Sequence, residues 1–330
     1  MKRLFIALIL LLLIASSAYS SETGWPSNLR FMSGPKGGNW ETLGSALSEI
    51  FNSSGLPETI SASGAGVSNI LNTHARRADF GFSVTSLLGA ALKGESDFRG
   101  CAVNNAVIMT NLYTQYTYFI MRKDFAAKNN IKSLDDIINN KIAVRFATLK
   151  PGTSSEFVIK ALFDKAFGVD YKKFFASIGG SVDYFSYEAG ADLLVDNNLD
   201  CFAFSVGKIA PILTSIESRA EIILLPVSQE ALNKLSDAYG TVTLEIEPGI
   251  YKSVSEPVKT VGDFTCIVIR KDLPDSLVYA LNKAIWENKE FLTAKVQDMS
   301  ELNYNTALPE KIPAHNGSLK FWNEIQSASK

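Results

Sequence analysis

Apolar positions along this chain follow two rhythms: short unbroken runs of strand length, and longer stretches with an apolar residue every third or fourth position. Leu29 to Met32 reads as a short strand, after which Leu43, Ala46, Leu47, Ile50 and Phe51 recur at helical spacing. A second helix carries Val67, Ile70 and Leu71, and Asp79 to Val84 is again a strand. Thr85 and Ser86 cap a helix through Leu88, Ala91 and Leu92, and Ala106 to Thr110 is the next strand. Strands alternating with helices in this way predict an α/β architecture.

Two strands stand out as a pair. Tyr116–Met121 and Phe264–Ile269 are strongly apolar, and each runs into a basic-acidic step, Arg122-Lys123-Asp124 and Arg270-Lys271-Asp272. Between them lies a second set of α/β units: a strand at Ile142–Val144, a helix at Ser154–Phe167, and further segments at Val182–Tyr187, Ala189–Val195, Leu199–Val206 and Ile222–Pro226. The most economical topology has the chain cross into a second domain and return. Residues 21–121 and 264–330 then form a discontinuous domain 1, residues 122–263 form domain 2, and the two crossing strands form a hinge. Pro274–Leu292 reads as a long amphipathic helix opened by Pro-Asp-Ser.

The first twenty residues have a different character. Lys2 and Arg3 precede an apolar stretch from Leu4 to Ile14, and small residues fill Ala15 to Ser20. This is the pattern of an export signal, cleaved near Ser20 to release a soluble periplasmic protein. The stretch is too short to cross a bilayer comfortably, and no Cys marks a lipid-anchored start. The remaining chain of about 310 residues suits two domains.

With net charge -2 and no long basic run, the sequence offers no footprint for nucleic acid. Cys101, Cys201 and Cys266 are widely spaced, and the latter two lie in apolar runs, so buried inert thiols are expected. The chain has only two His, His74 and His315, and no Cys-x-x-Cys. Neither a metal site nor a Ser-His hydrolase gains support. No cofactor and no catalytic set are expected.

The candidate chemistry lies in Gly/Ser-rich loops that each open a helix. They are Ser33–Trp40, Ser61–Gly66 and Pro151–Glu156. A helix N-terminus presents unpaired N–H groups and partial positive charge, so each loop is a potential anion cradle. Gly37 and Gly38 allow backbone to approach a ligand closely, with Lys36 beside them. Thr153 and Glu156 fit a capping box, which leaves the N–H groups of Ser154 and Ser155 for a carboxylate. His74 shares a helical face with Val67 and Ile70 and reads as a satisfied, half-buried histidine, whereas His315 can cap the helix that follows it. Arg145 follows the Ile142–Val144 run, so it is expected at that strand's carboxyl end, facing Thr153–Ser155 as the bidentate anchor for a carboxylate.

These residues, in order, resemble the TAXI-type solute receptors of TRAP transporters. Gly37-Gly38 and Leu43-Gly44 stand where that family has paired glycines and Leu-Gly, and Asp79-Phe80-Gly81-Phe82 is similar to its Asp-Leu-Gly-Leu strand. Leu112-Tyr113 matches a Leu-Tyr pair, and Pro151-Gly152-Thr153-Ser154-Ser155-Glu156 is close to Pro-Gly-Ser-Gly-Thr-Glu. Glu247-Pro248-Gly249-Ile250-Tyr251, Val261-Gly262-Asp263, Leu277-Val278-Tyr279 and His315-Asn316-Gly317-Ser318 follow in family order. The sequence departs from the family at Asn39-Trp40 (usually Thr-Tyr), Arg145 (commonly Gly) and Ser86 (frequently Asp). A few extra residues also fall within Phe146–Lys150.

The resemblance implies a two-domain type II periplasmic binding protein fold with a ligand cleft between domains. It implies a monomeric receptor, not an enzyme, that hands a small carboxylate such as glutamate or 2-oxoglutarate to the membrane subunits of a TRAP transporter. The expected ligand-binding set is Lys36, Gly37, Gly38, Asn39, Trp40, Ser63, Gly64, Thr85, Ser86, Tyr113, Arg145, Gly152, Thr153, Ser154, Ser155 and Ser205. An ABC-type receptor for a pyrimidine, sulfonate or nitrate-like ligand shares this fold and is the alternative. A transferase on the same scaffold is a further one.

Overall fold

β1 (Asn28–Met32) buries Leu29 and Phe31 and turns Asn28 and Arg30 outward, the alternation required of a strand with one buried face. The computed structural model describes residues 24–309 and 312–329; the expected export signal lies outside them. After β1 come α1 (Asn39–Ser53), β2 (Glu58–Ala62), α2 (Gly66–His74), β3 (Phe80–Val84) and α3 (Thr85–Lys93). β1 pairs in parallel with both β2 and β3, the helices serving as crossovers. Phe31 stacks on Phe80, with ring centroids 4.5 Å apart.

β4 (Ala106–Arg122) then carries the chain into the second lobe, which contains α4 (Lys123–Lys128), α5 (Leu134–Asn139), β5 (Arg145–Thr148), α6 (Ser154–Phe167), α7 (Tyr171–Ser177) and β6 (Ser181–Tyr184). It continues through α8 (Tyr187–Val195), β7 (Cys201–Val206), α9 (Pro211–Arg219), β8 (Ile222–Leu224), α10 (Gln229–Tyr239) and β9 (Val242–Ile246). β10 (Val258–Arg270) returns to the first lobe, completed by α11 (Asp275–Glu287), α12 (Lys289–Lys295), a 3-10 turn at Gln297–Glu301 and α13 (Asn316–Ala328).

The strands join in the order β2-β1-β3-β10-β4-β7-β5-β6, with β8 beside β4 and β9 beside β10. β4 and β10 run antiparallel at the centre, and their outer partners change along their length. Residues 265–269 of β10 pair with β3, whereas 258–262 pair with β9. Residues 116–121 of β4 pair with β7. The two long strands therefore stitch the lobes together.

Several sequence expectations shift here. Ala106–Thr110 and Tyr116–Met121 are one strand, buried almost continuously because it lies mid-sheet with both faces covered. Ile142–Val144 is not a strand; β5 begins at Arg145, and its buried run is Phe146–Thr148. Cys201 and Cys266 are buried, free thiols held protonated by burial. Cys101, by contrast, is free and exposed. Among the described residues, no group of three or more His, Cys, Asp or Glu could hold a metal ion, and no helix is long and apolar enough to cross a membrane.

Candidate ligand cleft

Three helix N-termini meet between the lobes: α1 at Asn39, α2 at Gly66 and α6 at Ser154. They border one cleft, which is also lined by Gly38, Trp40 and Ala65 from the first lobe and by Thr153, Ser155, Tyr187 and Ser205 from the second. Tyr113 and Gln115 of β4 line it as well. Among the described residues, no lining side chain is charged. The first-turn N–H groups of a helix lack intrahelical partners, so the cleft concentrates donors and positive partial charge.

The first-lobe loops are fixed by a small polar net. Asn69 Nδ2 donates to the carbonyls of Ser33 and Phe82, at 2.8 Å each. Ser63 Oγ donates to the Gly34 carbonyl at 3.0 Å. Gly64 lies so close to Asn69 that a Cβ there would sit 2.1 Å from Asn69 Oδ1. Ser63 and Gly64 thus hold the loop in shape and do not line the cleft. Gly37 adopts φ +82, a left-handed conformation that favours glycine, and its N–H donates to Glu41 Oε2. Lys36 is exposed outside the lining.

In the second lobe, Thr153 Oγ1 accepts from Glu156 N at 3.2 Å. The expected reciprocal bond is missing: the buried Glu156 carboxylate instead accepts from the Tyr171 hydroxyl at 2.8 Å and lies 3.6 Å from Lys160. Ser155 and Ser205 lock together, Ser205 N donating to Ser155 Oγ at 3.0 Å and Ser155 Oγ to the Ser205 carbonyl at 3.1 Å. Both hydroxyls are committed, since Ser205 Oγ also pairs with Thr117 Oγ1. Burial pushes the neighbouring Tyr187 phenol to about 12.

Two expected contributors are occupied by internal partners. The α3 N-terminus at Thr85 and Ser86 already holds an anion, because the buried Asp263 carboxylate accepts from Ser86 N and Ser86 Oγ. Desolvation raises that carboxyl to about 6. Thr85 Oγ1 donates to Asn111 Oδ1. The Trp40 indole N–H donates to Thr265 Oγ1 at 3.2 Å, so Trp40 walls the cleft without a free donor. Tyr113 is the reverse case: it is 1% exposed, yet its hydroxyl has no hydrogen-bond partner. Burial drives its ionisation far upward, so it stays a phenol and a donor.

Arg145 is a correction. It opens β5 instead of closing a preceding strand, so it stands at the amino end, away from the cleft. Its guanidinium grips Asp200 through Nη2 at 2.6 Å and Nε at 3.1 Å, and Asn197 through Nη1. Gly152 also falls outside the lining, but its carbonyl reaches across the lobes. Lys208 pairs with Glu247 at 3.1 Å. His74 is half-buried and accepts from the N–H groups of Asn104 and Asn105, as a satisfied histidine should. His315 caps α13 by accepting from Gly317 N.

Sequence reasoning missed Gln115, Leu149, Tyr187 and Val206 in the lining, and it named Pro35, Ala65 and Gly66 only as parts of their loops. Ala65-Gly66 had the same helix-opening signal as the other loops. Gln115 follows two residues after Tyr113 on the same strand face. Tyr187 had no local signal, since only lobe closure brings it to within 3.2 Å of a Cβ built on Gly38. Asp298 also went unread. It is buried, accepts from Asn39 Nδ2 at 3.0 Å and from Ile209 N at 3.3 Å, and desolvation raises it to about 6.

A central sheet that links two lobes, with a cleft at their junction, defines the α/β fold of periplasmic binding proteins. MatC from Rhodopseudomonas palustris, solved with bound malate, is similar at TM-score 0.54 and 16% identity, over 92% of this chain and 98% of that one. The periplasmic binding protein BugD is similar at 0.53 and 13%, over 92% and 99%. An R. palustris protein solved with adipate is similar at 0.52 and 12%, over 92% and 95%. The NMT1-like family matches residues 31–325, and the chain belongs to that family. Comparison with curated proteins returned no sequence match.

Proposed function

We propose that this protein is a periplasmic solute receptor that captures a small organic carboxylate between its lobes and delivers it to a TRAP-type transporter of the TAXI kind. One observation carries the reading: helix N-termini from both lobes converge on an uncharged cleft where a buried Tyr113 hydroxyl lacks a partner. Such a site rewards an anion that accepts hydrogen bonds from both lobes at once, and so favours closure around it. Among the described residues, no nucleophile and base stand together in the cleft, which supports binding without turnover. The ordered TAXI-like motifs support the transporter class, and malate and adipate in similarly folded proteins support the ligand class.

The cavity between the lobes is about 20 Å³, room for about one water molecule. A carboxylate of several heavy atoms therefore enters only when the lobes part. Calorimetry on ligand-stripped protein with malate, 2-oxoglutarate, adipate and glutamate, paired with small-angle scattering, tests this. Binding with compaction and no product supports the receptor, whereas conversion of a bound candidate overturns it. Uptake of the bound carboxylate by vesicles holding TRAP membrane subunits, dependent on this protein, tests delivery. The protein is expected to act there as a monomer.

A further inference from the structure

Most polar side chains on the cleft wall are already paired within the protein. Thr153 Oγ1 donates to the Lys150 carbonyl at 2.8 Å, and the Tyr187 hydroxyl to the Ser205 carbonyl at 3.4 Å. Trp40 serves Thr265, Ser155 serves Ser205, and Ser205 pairs with Thr117. Gln115 differs. It is 5% exposed and lines the cleft, yet among the described residues its side-chain amide has no hydrogen-bond partner. It stands two residues beyond Tyr113 on β4, hence on the same strand face, and the Tyr113 hydroxyl is likewise buried and unpartnered. Asn39 gives its Nδ2 to Asp298 at 3.0 Å, and among the described residues its Oδ1 receives nothing.

We infer that Gln115 is the specificity-determining residue of the cleft, and that its amide oxygen receives a hydrogen-bond donor, hydroxyl or ammonium, that the ligand carries in addition to its carboxylate. The inference rests on the carboxylate reading above and narrows it. A carboxylate only accepts, so it can answer the Tyr113 hydroxyl and Gln115 Nε2 but leaves Gln115 Oε1 unanswered. When the lobes close over such a ligand, Oε1 loses water without replacement, as does Asn39 Oδ1. A ligand that also donates satisfies both ends of the amide. Sites built to bond a substrate hydroxyl or amine reject the analogue that lacks it, because their own buried groups are then left unpaired. Gln115 is paired with Asp263 of β10 in the central ladder, which fixes where the amide stands.

Calorimetry with two matched sets decides it: succinate, malate and aspartate, and glutarate, 2-hydroxyglutarate and glutamate. Each is titrated into stripped wild-type protein and into Gln115→Met, which keeps the length of the side chain and removes its hydrogen-bonding groups. The expected result is that a donor-bearing member binds at least about tenfold tighter than the bare dicarboxylate of its set. Whether the hydroxyl or the ammonium member gains identifies the donor. Gln115→Met should close that gap to within about threefold by weakening the donor-bearing member alone. Gln115→Asn, which keeps the amide but withdraws it by one methylene, should narrow the gap too and serves if the Met variant does not fold. Bare dicarboxylates that bind as tightly as their substituted partners, or a gap that survives in the folded variants, overturn the inference and leave the carboxylate reading standing. Binding of none of the six overturns that reading and the inference with it.

Discussion

Val67 donates its backbone N–H across the cleft to the Gly152 carbonyl at 3.0 Å. The bond joins the first turn of α2 to the loop that opens α6, so two of the helix ends that border the cleft are held to each other. It also fixes how near the lobes come. A Cβ built on the adjacent Gly66 would lie 3.2 Å from Ser154 Cβ and Ser154 N.

Gly66→Ala is therefore expected to oppose closure by pressing on Ser154, and the added methyl also meets Leu87 Cδ2 of its own lobe at 3.0 Å. Overpacking of this kind costs about 1–3 kcal/mol, roughly a five- to hundred-fold loss of affinity. Calorimetry should show that loss, and scattering should show a less compact liganded form. Wild-type affinity with normal compaction would mean that the lobes do not meet at Gly66.

Ser155→Ala tests the Ser155–Ser205 lock. The change leaves Ser205 N buried without its acceptor, a loss of about 1–3 kcal/mol in stability. Chemical denaturation should register it. Because the Ser155 hydroxyl is already committed, ligand affinity should stay within about threefold of wild type, well under the loss of one charged hydrogen bond. A larger affinity change would show that the hydroxyl reaches the ligand.

Arg145→Lys is expected to leave carboxylate affinity within about twofold, since the guanidinium serves Asp200 and Asn197. Arg145 is half exposed but Asp200 is buried, so loss of the bidentate grip on Asp200 is expected to cost stability, about 1–3 kcal/mol. A tenfold drop in affinity measured by calorimetry would return Arg145 to the ligand.

Asp298 gives a pH prediction. Its folded-state value is raised to about 6, above the ordinary carboxyl, so the folded protein holds this proton more tightly than the unfolded chain. That contribution is complete below about pH 4 and is lost as pH rises through about 6. Asp298→Asn removes the dependence. The variant's stability relative to wild type should climb between pH 4 and 7, by up to about 3 kcal/mol. Parallel denaturation profiles across that range would show that Asp298 does not titrate there.

Local pattern alone determined the α/β alternation, the helix openings at Asn39, Gly66 and Ser154, and the pairing of two special strands. Each depends on residues near in sequence: apolar period, glycine-permitted turns, and the Thr153 cap. Tertiary structure decided the rest of the site. Arg145 looked like an anchor because its own strand was read three residues early, and only the sheet register places it against Asp200. Ser86 looked open because nothing local shows that Asp263, from a strand far along the chain, brings a carboxylate to the same helix end. Tyr187 and Asp298 entered the site through lobe closure, which no period encodes. A sequence sets which backbone groups lack local partners, but whether a ligand or the protein itself satisfies them depends on contacts hundreds of residues apart.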